Sequence, residues 1–448
     1  MSTAAWTKEQ VAEADREYVI HSWSKQGGLN ARPIAGASGS WFWDYDGNRI
    51  LDFQSQLVNS NLGHQHPRLV NAIKEQADKL CYIGPGFAEE SRAKLAQRLA
   101  EITPGDLRMS FFTTGGAAAN ENAIRLARHV TGRSKIVARY RSYHGATAGA
   151  ISLTGDPRRW QAEPGVSGVV RMLDPYTYRC PAGHPDPCPV CSGGPHLEEI
   201  LQYENPETVA AVILEPVTGT NGLIYPGENY LRSIREVCDT YGILLIFDEV
   251  MAGFGRTGEL FACNHWGVVP DILITAKGLN SGYVPLGAMT VSAEISEWLH
   301  GHKFWGGLTY AGHPLACASA VASLDIMDDE DVVANAKRQG ERLGAGLAEL
   351  AERHESIGEI RGRGLFYGLE LVRSRETREP LVPFNAVGEA AVPMQRIVKA
   401  GMAKGLYLSA NFNVMRLTPP LVITGDEIDF ALEILDDVLT LADEAVTV

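Results

Sequence analysis

The chain has 448 residues, of which 45% are hydrophobic and 21% are charged. This length can bury a large core and form two or more domains, and the composition is ordinary for a soluble globular enzyme. The formal net charge of −14 at pH 7 argues against nucleic acid or anionic membranes as partners.

The sequence also bears on the compartment. The N-terminal stretch MSTAAWTKEQVAEADREYV is polar and lacks the apolar centre of a signal peptide. No apolar run approaches the ~18 residues that a membrane span requires. The seven cysteines, an odd and mostly scattered number, fit a reducing environment. We therefore expect a cytoplasmic protein without a membrane segment.

The first part of the chain predicts a mixture of helices and short strands. Apolar residues on one stripe predict an amphipathic helix over residues 8–25. Residues 41–52 predict two strands around an Asp-Gly-Asn turn, and residues 68–81 predict a second helix. The run Thr113–Asn120 consists mainly of small residues and opens a further helix. Such a start can bind an anion, because free N–H groups and the helix dipole face the ligand, but it is also an ordinary way to begin a helix.

Strands and helices then alternate, which predicts a parallel sheet covered by helices on both faces. The predicted strands are the apolar runs 135–139, 209–214, 243–247 and 272–276, and one intervening helix covers 230–241. From about residue 330 the pattern changes to α+β, with helices predicted over 331–353, 394–404 and 426–443, and with two short strands or one bent strand over 360–371. We predict a large domain over residues 65–330 and a small domain over 331–448, with residues 1–64 packing against the small domain.

Two of the predicted strands end in residues of opposite charge. The run 243–247 leads into Asp248, and the run 272–276 leads into Lys277. Ligands of open α/β sheets bind beyond the carboxyl ends of the strands, so these two side chains are expected to meet at one site. Each could alternatively be a solvated strand end. Together they suggest a carboxylate facing a lysine amine, which a partly apolar pocket can deprotonate into a nucleophile.

The segment Gly253–Gly258 fits the dinucleotide fingerprint G-x-G-x-x-G, but its context does not. The fingerprint should follow its strand directly, and an acidic residue should close the next strand. Here five residues separate it from the strand, and Asp271 precedes the next apolar run. A glycine-rich loop near a cofactor is the simpler interpretation, and a nicotinamide oxidoreductase is the alternative from a different class.

A loop rich in proline and glycine carries three of the cysteines. Cys188 and Cys191 have the spacing of metal ligands, and Cys180 with His184 or His196 could complete four. Zinc ribbons normally carry two such cysteine pairs, whereas this loop has one. We therefore expect no metal here and interpret the segment as a surface insertion with free thiols or a local disulfide; a zinc site at Cys180, Cys188, Cys191 and His184 is the alternative.

Taken together, several motifs resemble one known family, the class III (ω-type) aminotransferases, which depend on pyridoxal phosphate and have fold type I. The motifs occur in the family's order over nearly the whole chain and are Phe112–Gly116, Tyr143–Gly145, Leu214–Pro216, Asp248–Val250 with Gly253–Gly258, Lys277–Gly278, Thr309–Pro314 and Arg416–Pro420. The resemblance implies a large domain with a mostly parallel seven-stranded sheet and a smaller α+β domain formed by the two chain ends.

The resemblance also implies roles for individual residues. Lys277 matches the lysine that binds the cofactor covalently and then moves a proton between the substrate carbon and cofactor C4′. Asp248 matches the carboxylate that keeps the pyridine nitrogen protonated. Tyr143, next to His144 in its motif, matches the aromatic residue on one face of the ring, and Val250 matches the apolar residue on the other. The remaining cofactor residue is Glu215, which matches an acid that positions neighbouring groups.

The cofactor's phosphate is expected at the backbone N–H groups of Gly116 and Ala117. Family members often carry hydroxyl residues here, and this chain lacks them. A scaffold that has lost the cofactor is therefore a further alternative. Thr309 matches a residue that reaches the phosphate of the partner subunit, which implies a homodimer with shared active sites, or a tetramer built from it.

The substrates are expected to be an amine or amino acid donor and a keto acid acceptor. Met251 and Thr220 replace the Gln and Glu of ornithine-type members, which resembles the branch that uses amines, β-alanine or taurine with pyruvate. Arg416 matches the arginine that binds a substrate carboxylate. Val58, within the loop 54–61, and Trp305 are predicted to line the substrate pocket. A 2-oxoglutarate-dependent ω-aminotransferase and a glutamate-1-semialdehyde-type aminomutase are the alternatives within the fold.

Overall fold

The computed structural model of the chain describes residues 5–183 and 188–446. Fifteen strands lie in these ranges: β1 (Ile34–Ser38), β2 (Trp41–Asp44), β3 (Arg49–Asp52), β4 (Met109–Thr113), β5 (Lys135–Arg139), β6 (Val169–Met172), β7 (Val209–Leu214), β8 (Leu244–Asp248), β9 (Ile272–Thr275), β10 (Gly287–Val291), β11 (Ile357–Arg363), β12 (Phe366–Leu371), β13 (Leu406–Tyr407), β14 (Ser409–Asn411) and β15 (Val414–Leu417).

The α-helices of the same ranges are α1 (Lys8–Tyr18), α2 (Ser55–Val58), α3 (Pro67–Lys79), α4 (Glu90–Ile102), α5 (Gly116–Thr131), α6 (Ala148–Leu153), α7 (Pro189–Ser192), α8 (Gly194–Glu204), α9 (Tyr230–Tyr241), α10 (Ala293–Gly301), α11 (Pro314–Asp329), α12 (Val332–Arg353), α13 (Val392–Ala403) and α14 (Gly425–Asp443). The described helices include none that is both long enough and apolar enough to cross a membrane.

The central sheet has seven strands in the order β4-β10-β9-β8-β7-β5-β6. Strand β10 runs antiparallel to both of its neighbours, and the other six strands share one direction. The mostly parallel seven-stranded sheet expected from the resemblance is therefore confirmed. Because the six strands point the same way, their carboxyl ends lie along one edge of the sheet, where a ligand site is expected.

Both faces of this sheet are buried, as the unbroken apolar runs predict. Successive residues alternate between two hydrophobic clusters: Leu214 and Phe247 belong to one, whereas Ile213 and Ile246 belong to the other. Helix α5 packs on the second cluster through Ala123 and Ala127. This alternation fixes the face of the sheet to which each side chain near a strand end belongs.

Two four-stranded sheets complete the fold. One has the order β1-β2-β3-β13 and joins the first strands to a strand near the C-terminus, and the other has the order β11-β12-β15-β14. The segment 360–371, predicted as two strands or one bent strand, forms the two antiparallel strands β11 and β12. The smaller sheet region is thus confirmed, while the boundaries at residues 64 and 330 stay predictions.

The glycine-rich loop Gly253–Gly258 fastens the central sheet to the smaller one. The buried Arg256 donates hydrogen bonds to the backbone oxygens of Leu365 and Pro419. Gly258 has φ +84°, and a Cβ added at Gly364 would stand 2.3 Å from the backbone nitrogen of Gly258, so the two backbones approach closely. The loop therefore makes an intramolecular contact, and this role accounts for its glycines without a dinucleotide.

Candidate active site

Three charged residues of the ligand edge line one cavity of about 450 Å³. Asp248 ends β8, Lys277 follows β9, and Glu215 follows β7. Strands β8 and β9 are parallel neighbours in which Asp248 pairs with Ile274, so the carboxyl ends of the two strands lie side by side. The structure thus places the carboxylate and the lysine on the wall of the same cavity, as their positions after two strands predict.

The carboxylate of Asp248 is held by three hydrogen-bond donors. Its Oδ2 accepts from Nδ2 of Asn120 at 2.8 Å and lies 2.8 Å from Nδ1 of His144. Its Oδ1 accepts from the backbone N–H of Val250 at 3.0 Å. Asp248 is only 3% exposed and His144 only 2% exposed. Three donors at these distances fix the direction of the buried carboxylate.

Lys277 occupies a sparsely populated backbone conformation at the start of a short 3₁₀ turn. Its φ is +43°, in the left-handed region that residues with a side chain rarely adopt. Burial lowers the pKa of its amine to about 8, although the nearby Asp248 and Glu215 act in the opposite direction. An amine with this pKa is partly unprotonated near neutral pH and can act as a nucleophile or a base.

The start of α5 lines the same cavity, and its chemistry suits an anion. Gly115, Gly116 and Ala117 line it, and the 16-residue helix begins without a side-chain cap. Its first N–H groups therefore remain free for a ligand, and the helix dipole favours negative charge there. A Cβ added at Gly116 would stand 2.8 Å from Cγ2 of Val250, so the glycine lets Val250 pack closely against the helix start.

Tyr143 also lines the cavity, and its position is fixed from two directions. Its backbone N–H donates to Oε1 of Glu215 at 3.0 Å, and the other oxygen of Glu215 accepts from Gly219 at 2.8 Å. The guanidinium of Arg158 lies over the Tyr143 ring, 3.6 Å from its centroid. Burial raises the pKa of Glu215. The placement of Glu215 agrees with a positioning role, and the stacking role of Tyr143 and Val250 stays a prediction.

A second cavity of about 540 Å³ shares Tyr143 and Lys277 with the first and carries two arginines, Arg158 and Arg416. Arg416 projects from β15 and donates from Nε and Nη2 to Oγ of Ser409, at 3.2 and 2.8 Å. Burial lowers the pKa of Arg416 to about 10. Val58 also lines this cavity. A cationic wall beside a lysine is suited to a substrate that carries an acid group.

Two predicted residues lie elsewhere on the described chain. Thr309 is exposed, and its backbone oxygen accepts from the hydroxyl of Tyr82 at 2.9 Å. Trp305 is 64% exposed and lines a separate cavity beside Arg125 and His129. Within the described residues of a single chain, neither Thr309 nor Trp305 lines the two cavities around Lys277. Their expected contributions at a subunit interface stay predictions.

Two site residues were missed in the sequence. Asn120 lies one helical turn after Gly116 and bonds to both Asp248 and the backbone oxygen of His144. The available signal was a polar residue on the buried face of α5. Arg158 lies in the short 3₁₀ helix Pro157–Ala162, and its Nε–H donates to Asp156 at 2.9 Å. Nothing in that stretch of sequence indicated that Arg158 covers Tyr143.

The chain was compared with known proteins. The family model described as aminotransferase class-III matches residues 24–439. The taurine:2-oxoglutarate aminotransferase of Bifidobacterium kashiwanohense, solved with PLP and glutamate, is 43% identical over 99% of this chain and 100% of its own, with a TM-score of 0.94. An (S)-enantioselective ω-transaminase of Thermomicrobium roseum is 36% identical over 98% and 99%, with a TM-score of 0.91. The putrescine–pyruvate aminotransferase of Pseudomonas aeruginosa is 35% identical over 89% of this chain and 88% of its own.

Proposed function

Because this chain belongs to the class III aminotransferases and is a transaminase that uses pyridoxal phosphate, we propose that it moves an amino group from an amine or ω-amino acid to pyruvate. The reaction runs in two stages, with donor and acceptor using the site in turn. The observation that carries the proposal is the pair of cavities that share Lys277. One contains Asp248 and the start of α5, and the other contains Arg416. A relative of known substrate, the putrescine–pyruvate aminotransferase, supports the acceptor.

The residues present fit the cofactor. The free N–H groups at Gly116 and Ala117 would hold its phosphate, and Asp248 would face its pyridine nitrogen. The buried Nε2 of His144 has no partner among the described residues, which leaves a polar atom beside Asp248 for a ligand or water. Bound pyridoxal phosphate supplies a conjugated ring that accepts electrons from the substrate carbon.

Protein groups then carry out the proton transfers and the binding. The Nζ atom of Lys277 takes a proton from the substrate carbon and returns one to complete the exchange, for which a pKa of about 8 is well suited. Arg416 binds the carboxylate of the keto acid through its planar fork. Asp248, fixed by Asn120 and His144, would present its carboxylate to the pyridine nitrogen of the cofactor.

Replacing Arg416 with leucine is expected to raise the KM for the keto acid. A hydrogen-bonded charge pair contributes enough free energy for a change of roughly 10- to 100-fold. The kcat for an amine donor without a carboxylate should change far less, because such a donor does not use the guanidinium. Steady-state kinetics with both substrates varied measures the two effects. Arg416→Lys is the matched control, since it keeps the charge but loses the fork; an unchanged KM in Arg416→Leu would refute the role.

A second acceptor, 2-oxoglutarate, is favoured by two observations. The relative from Bifidobacterium kashiwanohense is named for this acceptor. In addition, Arg158 lines the same cavity as Arg416 and could hold the second carboxylate of a diacid. The pairing of Arg158 with Asp156 offsets part of its charge and weakens this alternative. An aminomutase is the third candidate, and it would need no external keto acid.

The visible spectrum of the cofactor-loaded protein separates these candidates. We expect taurine, β-alanine or an aryl-alkyl amine to bleach the cofactor band, and pyruvate to restore it. If 2-oxoglutarate restores the band and pyruvate does not, the assignment of pyruvate as the acceptor is wrong, while the assignment to the aminotransferases stands. If no donor bleaches the band, the proposed donors are wrong. If the protein converts a single amino-aldehyde without any keto acid, the aminomutase alternative is correct.

We also propose that the protein is a homodimer that shares its active sites, with a tetramer as a possible higher assembly. The exposed position of Thr309 supports this, because the residue is free to reach a partner. We propose separately that the protein is cytoplasmic. The oligomeric state can be measured by light scattering, and Thr309→Ala should weaken cofactor binding only if subunits share their sites.

A further inference from the structure

Three cysteine sulfur atoms come together in a loop away from the cavities around Lys277. Sγ of Cys180 lies 3.3 Å from Sγ of Cys188 and 3.8 Å from Sγ of Cys191. All three sulfur atoms lie within 4.8 Å of one another. No cysteine of the described chain is in a disulfide. The loop therefore presents three convergent thiols that the aminotransferase reaction does not use.

The spacing of the sulfur atoms fits a shared metal ion. Zinc binds thiolate sulfur at ~2.3 Å in a tetrahedral arrangement, which places two sulfur ligands ~3.8 Å apart. The two separations from Sγ of Cys180, 3.3 and 3.8 Å, are near this value. A disulfide would instead need sulfur atoms ~2.05 Å apart and would leave the third thiol unused.

The local backbone also has the form of a metal-binding turn. Cys188 precedes α7, Pro189 occupies its first position, and Cys191 lies within its single turn. The turn therefore brings two cysteines separated by two residues to the same side. Cys188 is 2% exposed and Cys191 is 8% exposed, so both sulfur atoms are shielded from bulk water.

The alternative is that the thiols serve as small apolar side chains. Among the residues that the structure describes, the cluster they form contains only Val190 as a further buried residue, with Leu173 and Ala182 partly buried around it. Such a small core contributes little free energy for holding a loop rich in proline and glycine. A metal ion would supply the missing constraint, as it does in small domains that lack a sufficient core.

We propose that Cys180, Cys188 and Cys191 form a structural zinc site. Zinc is the metal of choice for thiolate ligands in a closed, non-redox site. His196, a possible fourth ligand from the sequence, uses its Nε2 to accept the backbone N–H of Leu173 at 3.1 Å and does not belong to the cluster. His184, the other possible fourth ligand, lies outside the described residues. The three thiolates are thus the ligands that the described residues supply.

The site would tie two parts of the fold together. Arg179, next to Cys180, forms an ion pair with Glu370 of β12, and Tyr176 donates a hydrogen bond to the same carboxylate. On the other side of the loop, Ser233 of α9 donates to the backbone oxygen of Ser192 at 2.5 Å. A metal ion between these anchors would fix the contact between the central sheet region and the smaller sheet.

The test is metal content. The protein with its bound cofactor is loaded with zinc chloride, passed through a desalting column and analysed by inductively coupled plasma mass spectrometry. We expect about one zinc ion per chain, as one closed site requires. Cobalt(II) in place of zinc should give a thiolate-to-cobalt charge-transfer band, whose intensity falls with each of Cys180→Ser, Cys188→Ser and Cys191→Ser. The exposed Cys81→Ser and the buried Cys238→Ser are matched controls that should retain both zinc and the band.

A measurement on the unchanged protein guards against variants that fail to fold. A chelator should make three additional thiols reactive towards a thiol reagent, and added zinc should protect them again. Absence of zinc after loading would overturn the proposal, as would equal zinc in the triple variant or a disulfide between two of the three cysteines in the zinc-loaded protein. None of these results depends on transaminase activity, so the site is tested separately from the proposed function.

Discussion

Replacing Asp248 with asparagine is expected to reduce kcat by roughly 10²- to 10³-fold, which is the cost of removing one preorganised electrostatic group from an active site. The substitution keeps the shape of the side chain and removes its charge. The cofactor ring then loses the anion that keeps its nitrogen protonated, and it accepts electrons less readily. The loss should greatly exceed that of one hydrogen bond, and single-turnover kinetics with a saturating amine donor measures it.

The fold should tolerate this change because the surrounding groups can adapt. His144 can present the unprotonated form of Nδ1 to the new amide, and Asn120 can turn its Oδ1, which has no partner among the described residues, towards that amide in place of its Nδ2. The N–H of Val250 keeps its acceptor. Asp271→Asn is the matched control, since Asp271 lies at the opposite end of the sheet and accepts the N–H of Leu245. Nearly normal turnover in Asp248→Asn, with intact cofactor binding, would show that the charge of Asp248 has no role in the reaction.

The second large effect is expected for Lys277→Ala. The variant loses the amine that attaches the cofactor and moves the substrate proton, and kcat should fall by roughly 10⁴-fold, the upper end of the contribution from a positioned proton-transfer group. Cofactor should remain bound through the start of α5 but without a covalent link. Borohydride should therefore fail to attach it to the chain, and denaturation should release it. Mass spectrometry after borohydride reduction measures whether the mass of the cofactor has been added to the chain. Lys404→Ala, at a surface ion pair with Asp437, is the matched control.

The lowered pKa of Lys277 provides an independent signature of the same residue. Because the amine reacts only when unprotonated, the rate at which cofactor-free protein attaches pyridoxal phosphate should fall as the pH decreases below about 8. The expected decrease approaches about tenfold per pH unit, as for any single protonation. The rate should level off above that pH. A rate that stays constant down to pH 6 would contradict the assignment of Lys277 as the attacking amine.

Much of the fold could be predicted from local pattern. The apolar runs of β7, β8 and β9 were long enough and β-branched enough to identify strands buried on both faces. The helix 230–241 and the two strands around residue 46 were also predicted correctly. Strand β10 was missed: its sequence Gly-Ala-Met-Thr-Val is short, and pairing on both sides with β9 and β4 stabilises it rather than its own propensity.

The sequence by itself determined that Asp248 and Lys277 meet, because residues that follow neighbouring parallel strands must emerge at the same edge of a sheet. Only the tertiary structure decided what surrounds them. Asn120 reaches Asp248 across 128 residues of chain, and Arg158 covers Tyr143 from a short 3₁₀ helix. The sequence already grouped Cys180 with the cysteines at 188 and 191, but only the structure brings the three sulfur atoms within 4.8 Å of one another and bonds His196 to the backbone of Leu173 instead. Local patterns specify where each strand and helix begins, whereas contacts between distant side chains depend on how those elements pack.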